Sequence, residues 1–122
     1  MLKKEEVALR KKLRDKADQV FSIWIRNRDK KNCITKQSTF CNKVVQHNAH
    51  RIDRGWYSHR RDENNCYGAC ASCNTYHEAE HKIHLTIYQI NRFQARVDEQ
   101  LRKRHKKKPT IQELLNIIEK YT

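Results

Sequence analysis

The cysteines constrain this chain more than any other feature. There are five, all between positions 33 and 73, and the last two form Cys70-Ala71-Ser72-Cys73. A C-x-x-C pair puts two thiolates within one turn of each other, the half-site that a tetrahedral zinc uses. Cys33 and Cys41 make a looser pair upstream, and Cys66 stands between the two pairs. Residues 1–10 are charged throughout, without the apolar stretch of a secretion signal. Grouped cysteines in such a chain point to metal rather than to disulfides. The expectation is a structural Zn²⁺ held by Cys33, Cys41, Cys70 and Cys73, with Cys66 the alternative to Cys41. A redox use of the C-x-x-C pair would call for a βαβ pattern around it, and none is present.

Composition explains why a staple is needed. Of 122 residues only 37% are apolar and 34% are charged. That is enough for one domain with a small core. Lys and Arg number 27 against 14 Asp and Glu, a net charge of +13. Such an excess, distributed along the chain, fits a polyanionic partner, most simply nucleic acid. No apolar run approaches the roughly 18–20 residues of a membrane span, so no membrane role is expected and a cytoplasmic setting is.

Three segments follow from the periodicity. Residues 1–28 read as a helix, with Leu9, Leu13, Ala17, Val20 and Trp24 on one stripe that Phe21 and Ile25 widen. Residues 29–82 form the cysteine-bearing core, where Val44-Val45 and Ile52 suggest brief strands. Asp53-Arg54-Gly55 and Glu63-Asn64-Asn65 supply turns there. Residues 83–122 return to helix, with Ile83, Ile87, Ile90, Val97 and Leu101 near one face to about His105. The run from Arg102 to Lys108 then ends at Pro109, and Thr110 with Glu113 makes a capping box for a last helix. The expected class is α+β and mostly helical: a zinc-stapled core flanked by an N-terminal helix and C-terminal helices.

The polar residues of the core have an order of their own. His47-Asn48-Ala49-His50-Arg51 is followed by Asn65, then by Cys70, Cys73 and Asn74. Read together, this resembles the HNH, or ββα-metal, nucleases. Within them the chain is most similar to the phage NinG (Rap) recombination proteins. The likeness is carried by Phe21-Ser22-Ile23-Trp24-Ile25-Arg26-Asn27-Arg28-Asp29, Asn48-Ala49-His50, Asp62-Glu63-Asn64-Asn65 and Cys70-Ala71-Ser72-Cys73-Asn74. It extends to Glu113-Leu114-Leu115-Asn116-Ile117-Ile118-Glu119-Lys120-Tyr121.

The resemblance implies a ββα-metal unit and a phage-encoded enzyme of the bacterial host cell. It would cut branched recombination intermediates such as Holliday junctions or D-loops. His50 would activate water for attack on a phosphodiester. Asn74 would hold a catalytic Mg²⁺ or Mn²⁺, distinct from the zinc, and Asn65 would brace the loop that orients His50. Glu78 shares a helical face with Asn74 and could supplement that ion. His47 reads more readily as an ordinary strand histidine.

Arg51, Arg54, Arg60 and Arg61 flank the proposed centre and could clamp phosphates on either side of the cut. Arg102, Lys103, Arg104, Lys106, Lys107 and Lys108 offer a second contact surface. Trp56 and Tyr57 could stack on a base, though packing the loop is the commoner use. Symmetric cutting of a junction favours a homodimer, with phage or host recombination proteins as further partners. Two rival readings remain: a zinc-stapled DNA-binding accessory module without nuclease activity, and a general HNH nuclease.

Overall fold

The computed structural model describes residues 3–30, 33, 44–76, 83, 87 and 101–122. Cys41, Glu78 and most of the expected helix between Ile83 and Leu101 lie outside the described residues. What is described is a mixed α+β chain, mostly helical, with one two-stranded sheet.

Helix α1 runs Lys4–Arg28 without a glycine or proline. Glu5 and Glu6 in its first turn and Arg26 and Arg28 in its last complement the helix dipole. Its apolar stripe is buried only from Ala17 onward, at Ala17, Val20, Phe21 and Ile25. Leu9, expected on the same stripe, stays exposed. The reason is where the partners sit. Phe21 and Ile25 pack with Cys66 of the sheet, and Trp24 and Tyr121 close over them.

Strand β1, His47–His50, pairs antiparallel with β2, Cys66–Ala69. The register sets His47 opposite Ala69 and His50 opposite Cys66. A two-strand ribbon is marginal alone in water, so its anchors matter. Asp29, just past α1, accepts from the Gly68 backbone N–H at 2.8 Å. Arg28 holds the Asp29 carboxylate and also donates to the carbonyls of Glu63, at 2.8 Å, and Cys66, at 2.7 Å. The Arg28-Asp29 pair of the sequence motif is thus a staple between α1 and β2. Gly68 is required by this approach. A Cβ there would fall 2.8 Å from both Asp29 Cβ and Val45 Cγ1.

Helix α2, Tyr57–Arg60, is a single turn in the connection between the strands. A π-helical turn, Ser72–Tyr76, follows β2 and carries the end of the C-x-x-C pair. Helix α3, Ile111–Tyr121, opens on the expected capping box, with Thr110 and Glu113 serving each other's backbone N–H. Leu114 is its buried residue, while Leu115 remains exposed. Tyr121 meets Phe21 and Trp24 edge-on, with ring centroids 4.8 and 5.1 Å away, and its hydroxyl donates to Glu63 at 2.9 Å.

The helix expected to about His105 ends at 103, and 104–110 is a largely exposed segment without regular secondary structure. It is docked rather than loose. Ser58 N–H donates to the His105 carbonyl at 3.1 Å, and His105 N–H donates to Ser58 Oγ at 2.8 Å.

Candidate metal centre and polar cleft

The β1–β2 ribbon borders two chemically different places. In one, Cys33, Cys70 and Cys73 are buried with Ala49 and Ala69. Their sulfurs lie within 4.8 Å of one another. The Cys73 backbone N–H donates to Cys70 Sγ at 3.3 Å, which holds the two cysteines of the turn together. Gln46 Oε1 accepts from Ala71 N–H at 3.1 Å and fixes the turn between the two cysteines. Three such sulfurs fill three of the four positions of a tetrahedral zinc.

Cys66 is no part of this group. It begins β2, four residues before Cys70, and a strand rises about 3.3 Å per residue. Its sulfur points to the Arg60 carbonyl, 3.5 Å away, within the Phe21–Ile25 cluster. Burial pushes its thiol far above the ordinary range, so it stays protonated and acts as a small apolar filler. Between the two alternatives for a fourth ligand, Cys66 is thereby removed. Cys41 lies outside the described residues.

The second place is a cleft of about 480 Å³. Its wall includes His47, Asn48 and His50 of β1, Asn74 of the π-helical turn, and Arg54 and Arg60. Asp15, Asp18, Ser22 and Arg26 of α1 line it as well. These four recur at spacings of three and four, a polar stripe beside the apolar one. His50 Nε2 donates to the Arg60 carbonyl at 2.8 Å, which leaves Nδ1 as the acceptor of the ring. Burial lowers the basicity of His50. The hydrogen bond to Arg60 opposes that effect, the charges of Arg54 and Arg60 add to it, and Asp18 offsets it.

His47, discounted from sequence, sits in the cleft and accepts from Asn74 Nδ2 at 3.1 Å through Nδ1. That leaves Asn74 Oδ1 as a hard, neutral oxygen donor. Asn48 Oδ1 is buried in the same wall with no hydrogen-bond partner. An oxygen so placed costs about 1–3 kcal/mol unsatisfied, and a cation or a donor would relieve it.

Asn65 stands behind the cleft rather than in it. Fully buried, it accepts from Ile52 N–H at 2.8 Å and donates to the carbonyls of Ile52 and His59 at 3.0 Å each. One amide thus closes the segment between β1 and α2 on itself.

The expected phosphate clamps are divided by the structure. Arg54 and Arg60 line the cleft, Arg51 does not, and Arg61 borders a separate pocket beneath His105 and Lys107. Arg54, Arg60 and Arg61 converge on one carboxylate, Asp18. Arg102, Lys103, Arg104, Lys106, Lys107 and Lys108 are all exposed. Arg104 and Lys106 stand over the Trp56 ring at 4.6 and 4.7 Å from its centroid, so that ring is already occupied by cations.

The fold and the site define a mixed α+β protein with a buried cysteine triad able to hold a metal, set beside a histidine-bearing polar cleft. Among known proteins nothing narrows this further: no family model, no curated protein and no solved structure matches the chain. No described helix is long and apolar enough to cross a membrane.

Proposed function

We propose that this chain is a metal-dependent, structure-selective DNA endonuclease of the HNH type, acting on branched recombination intermediates. One observation carries the reading. His50 lines a cleft with its N–H committed to a backbone carbonyl, and Asn74 lines the same cleft. A neutral imidazole held in one tautomer is what a general base needs, and lowered basicity keeps it neutral at pH 7.

In this reading His50 Nδ1 takes the proton of a water positioned against the scissile phosphodiester. Arg54 and Arg26 line the cleft as cations for the phosphate. Asn65 holds the β1–α2 connection, and hence the carbonyl that fixes His50. A Mg²⁺ or Mn²⁺ at Asn74 would polarise the phosphate and ease departure of the leaving oxygen. A zinc on the cysteine triad, completed by a fourth ligand, would staple the ribbon that carries His47 and His50. The exposed segment 102–108 extends the positive surface along a duplex arm. Branch preference comes from the resemblance to the NinG proteins, and a homodimer from the symmetric cutting that a junction calls for.

The test is cleavage of a labelled four-way junction, D-loop, Y-fork, linear duplex and single strand with Mg²⁺ or Mn²⁺. Branched substrates are expected to be cut, and His50→Ala should lower the rate by about 10²–10⁴ with DNA binding intact. Equal cutting of every form would reduce the reading to a general HNH nuclease. Junction binding without cutting by the wild-type chain would favour the accessory module instead.

A further inference from the structure

The cleft's base is fixed by a carbonyl on a very short element. α2 has four residues and no side-chain cap at its N-terminus, so its own hydrogen bonds cannot hold it in place. Its position must come from tethers. At its start, Ser58 is paired to His105. At its middle, the His59 carbonyl receives Asn65. At its end the Arg60 carbonyl also receives Cys66 Sγ at 3.5 Å, and the Arg60 side chain is held by an ionic tether. Asp18 of α1 accepts from Arg60 Nε at 3.1 Å through Oδ1 and from Arg60 Nη2 at 2.6 Å through Oδ2. The next residue, Arg61, brings Nε to 2.9 Å from Asp18 Oδ1. Its side chain is only 4% exposed, and Nη2 has no hydrogen-bond partner. A third guanidinium, Arg54, reaches Asp18 Oδ2 at 3.5 Å. One carboxylate therefore faces three cations and is bidentate to the residue whose carbonyl receives His50.

We infer that Asp18 is a positioning residue: by gripping the Arg60 side chain from α1, it holds the Arg60 carbonyl against His50 Nε2–H and so keeps His50 Nδ1 as the proton acceptor. The chain of contacts runs Asp18 to Arg60 side chain, Arg60 carbonyl, then His50. Asp18 does not touch the reacting atoms. Its second effect follows from charge. Without it Arg54 and Arg60 lose the carboxylate they share in the cleft wall, which favours DNA phosphate. Loss of Asp18 should thus harm the chemical step while sparing or tightening substrate binding. A residue that merely supported the fold would weaken both.

The inference rests on the nuclease reading for its consequence but not for its geometry, and the experiment separates the two. Long-range ¹H–¹⁵N correlation of the histidine rings, with His50→Ala to identify the signal, reads the His50 tautomer directly. Wild-type protein should show a single Nε2–H tautomer in the neutral form, and Asp18→Asn a mixture. Arg60→Gln breaks the same tether from the other side while leaving Arg61 with Asp18, and should give the same mixture even if Asp18→Asn folds poorly. In the junction assay Asp18→Asn should lose about 10–100-fold in kcat, the scale of a small misplacement, with KM unchanged or lower. An unaltered tautomer in both variants would overturn the inference, as would a kcat within twofold of wild type or a raised one. If the wild-type chain cuts nothing, the nuclease reading fails and the tautomer measurement alone still decides the role of Asp18.

Discussion

The cysteine triad and the cleft share the β1–β2 ribbon but are built on opposite plans. The triad takes two ligands from one turn of chain and places all of its sulfurs among buried alanines. The cleft draws side chains from α1, β1, the α2 connection and the π-helical turn, and His50, His47 and Arg60 are each positioned by another group. A metal centre of the first kind supplies its own geometry once bound. A site of the second kind depends on every tether behind it. The comparison teaches where each region is vulnerable: the triad to loss of one sulfur, the cleft to loss of a remote brace.

The largest effect is expected at the triad. Cys73→Ser should remove bound zinc and with it several kcal/mol of folding free energy, since binding energy at such a centre is folding energy. Metal analysis and thermal denaturation check this together. Cys66→Ser sharpens the contrast: zinc content should stay at the wild-type level, because that sulfur packs with Phe21 and Ile25.

A smaller loss is expected at the brace. Asn65→Ala leaves the buried N–H of Ile52 and two carbonyls without their partner, and should cost about 2–3 kcal/mol in denaturant titration. Zinc should remain bound in this variant, and cleavage should fall with it if the cleft depends on remote braces.

His50 gives the next effect. Burial sets its basicity below the ordinary imidazole value of about 6.5, so the folded chain prefers the neutral ring. Its contribution to stability is complete above that value and is lost as pH falls through the folded one. The acid limb of the cleavage profile should therefore lie below pH 6.5, and His50→Ala should flatten that part of the stability curve.

The smallest effect is expected at α3. Tyr121→Phe removes the hydroxyl that donates to Glu63 but keeps the ring against Phe21 and Trp24. It should cost about 1 kcal/mol in the same titration and leave both regions intact.

The same contrast explains what could be read from sequence. Cys70 and Cys73 announce themselves by spacing, and Thr110 with Glu113 by the capping box, because both are local. The mostly helical class and the α1 stripe from Ala17 to Ile25 were legible for the same reason. Asp18 was not. Its partners lie at positions 54, 60 and 61, and nothing near it in the chain signals them. His47 reads as an ordinary strand histidine because its significance is the contact with Asn74, across 27 positions. The fate of Cys66 depends on which face of β2 meets α1, which is a property of the assembled fold.

Trp56 under Arg104 and Lys106 has a practical consequence. Those two cations cannot serve the indole and a nucleic-acid phosphate at full strength at the same time. Drawing them toward a bound strand uncovers the ring, and its emission should change in colour and intensity. The chain has only one other tryptophan, Trp24, which sits in the aromatic cluster with Phe21 and Tyr121. Trp24 gives a steady background signal, so the unlabelled protein carries a built-in optical reporter of occupancy.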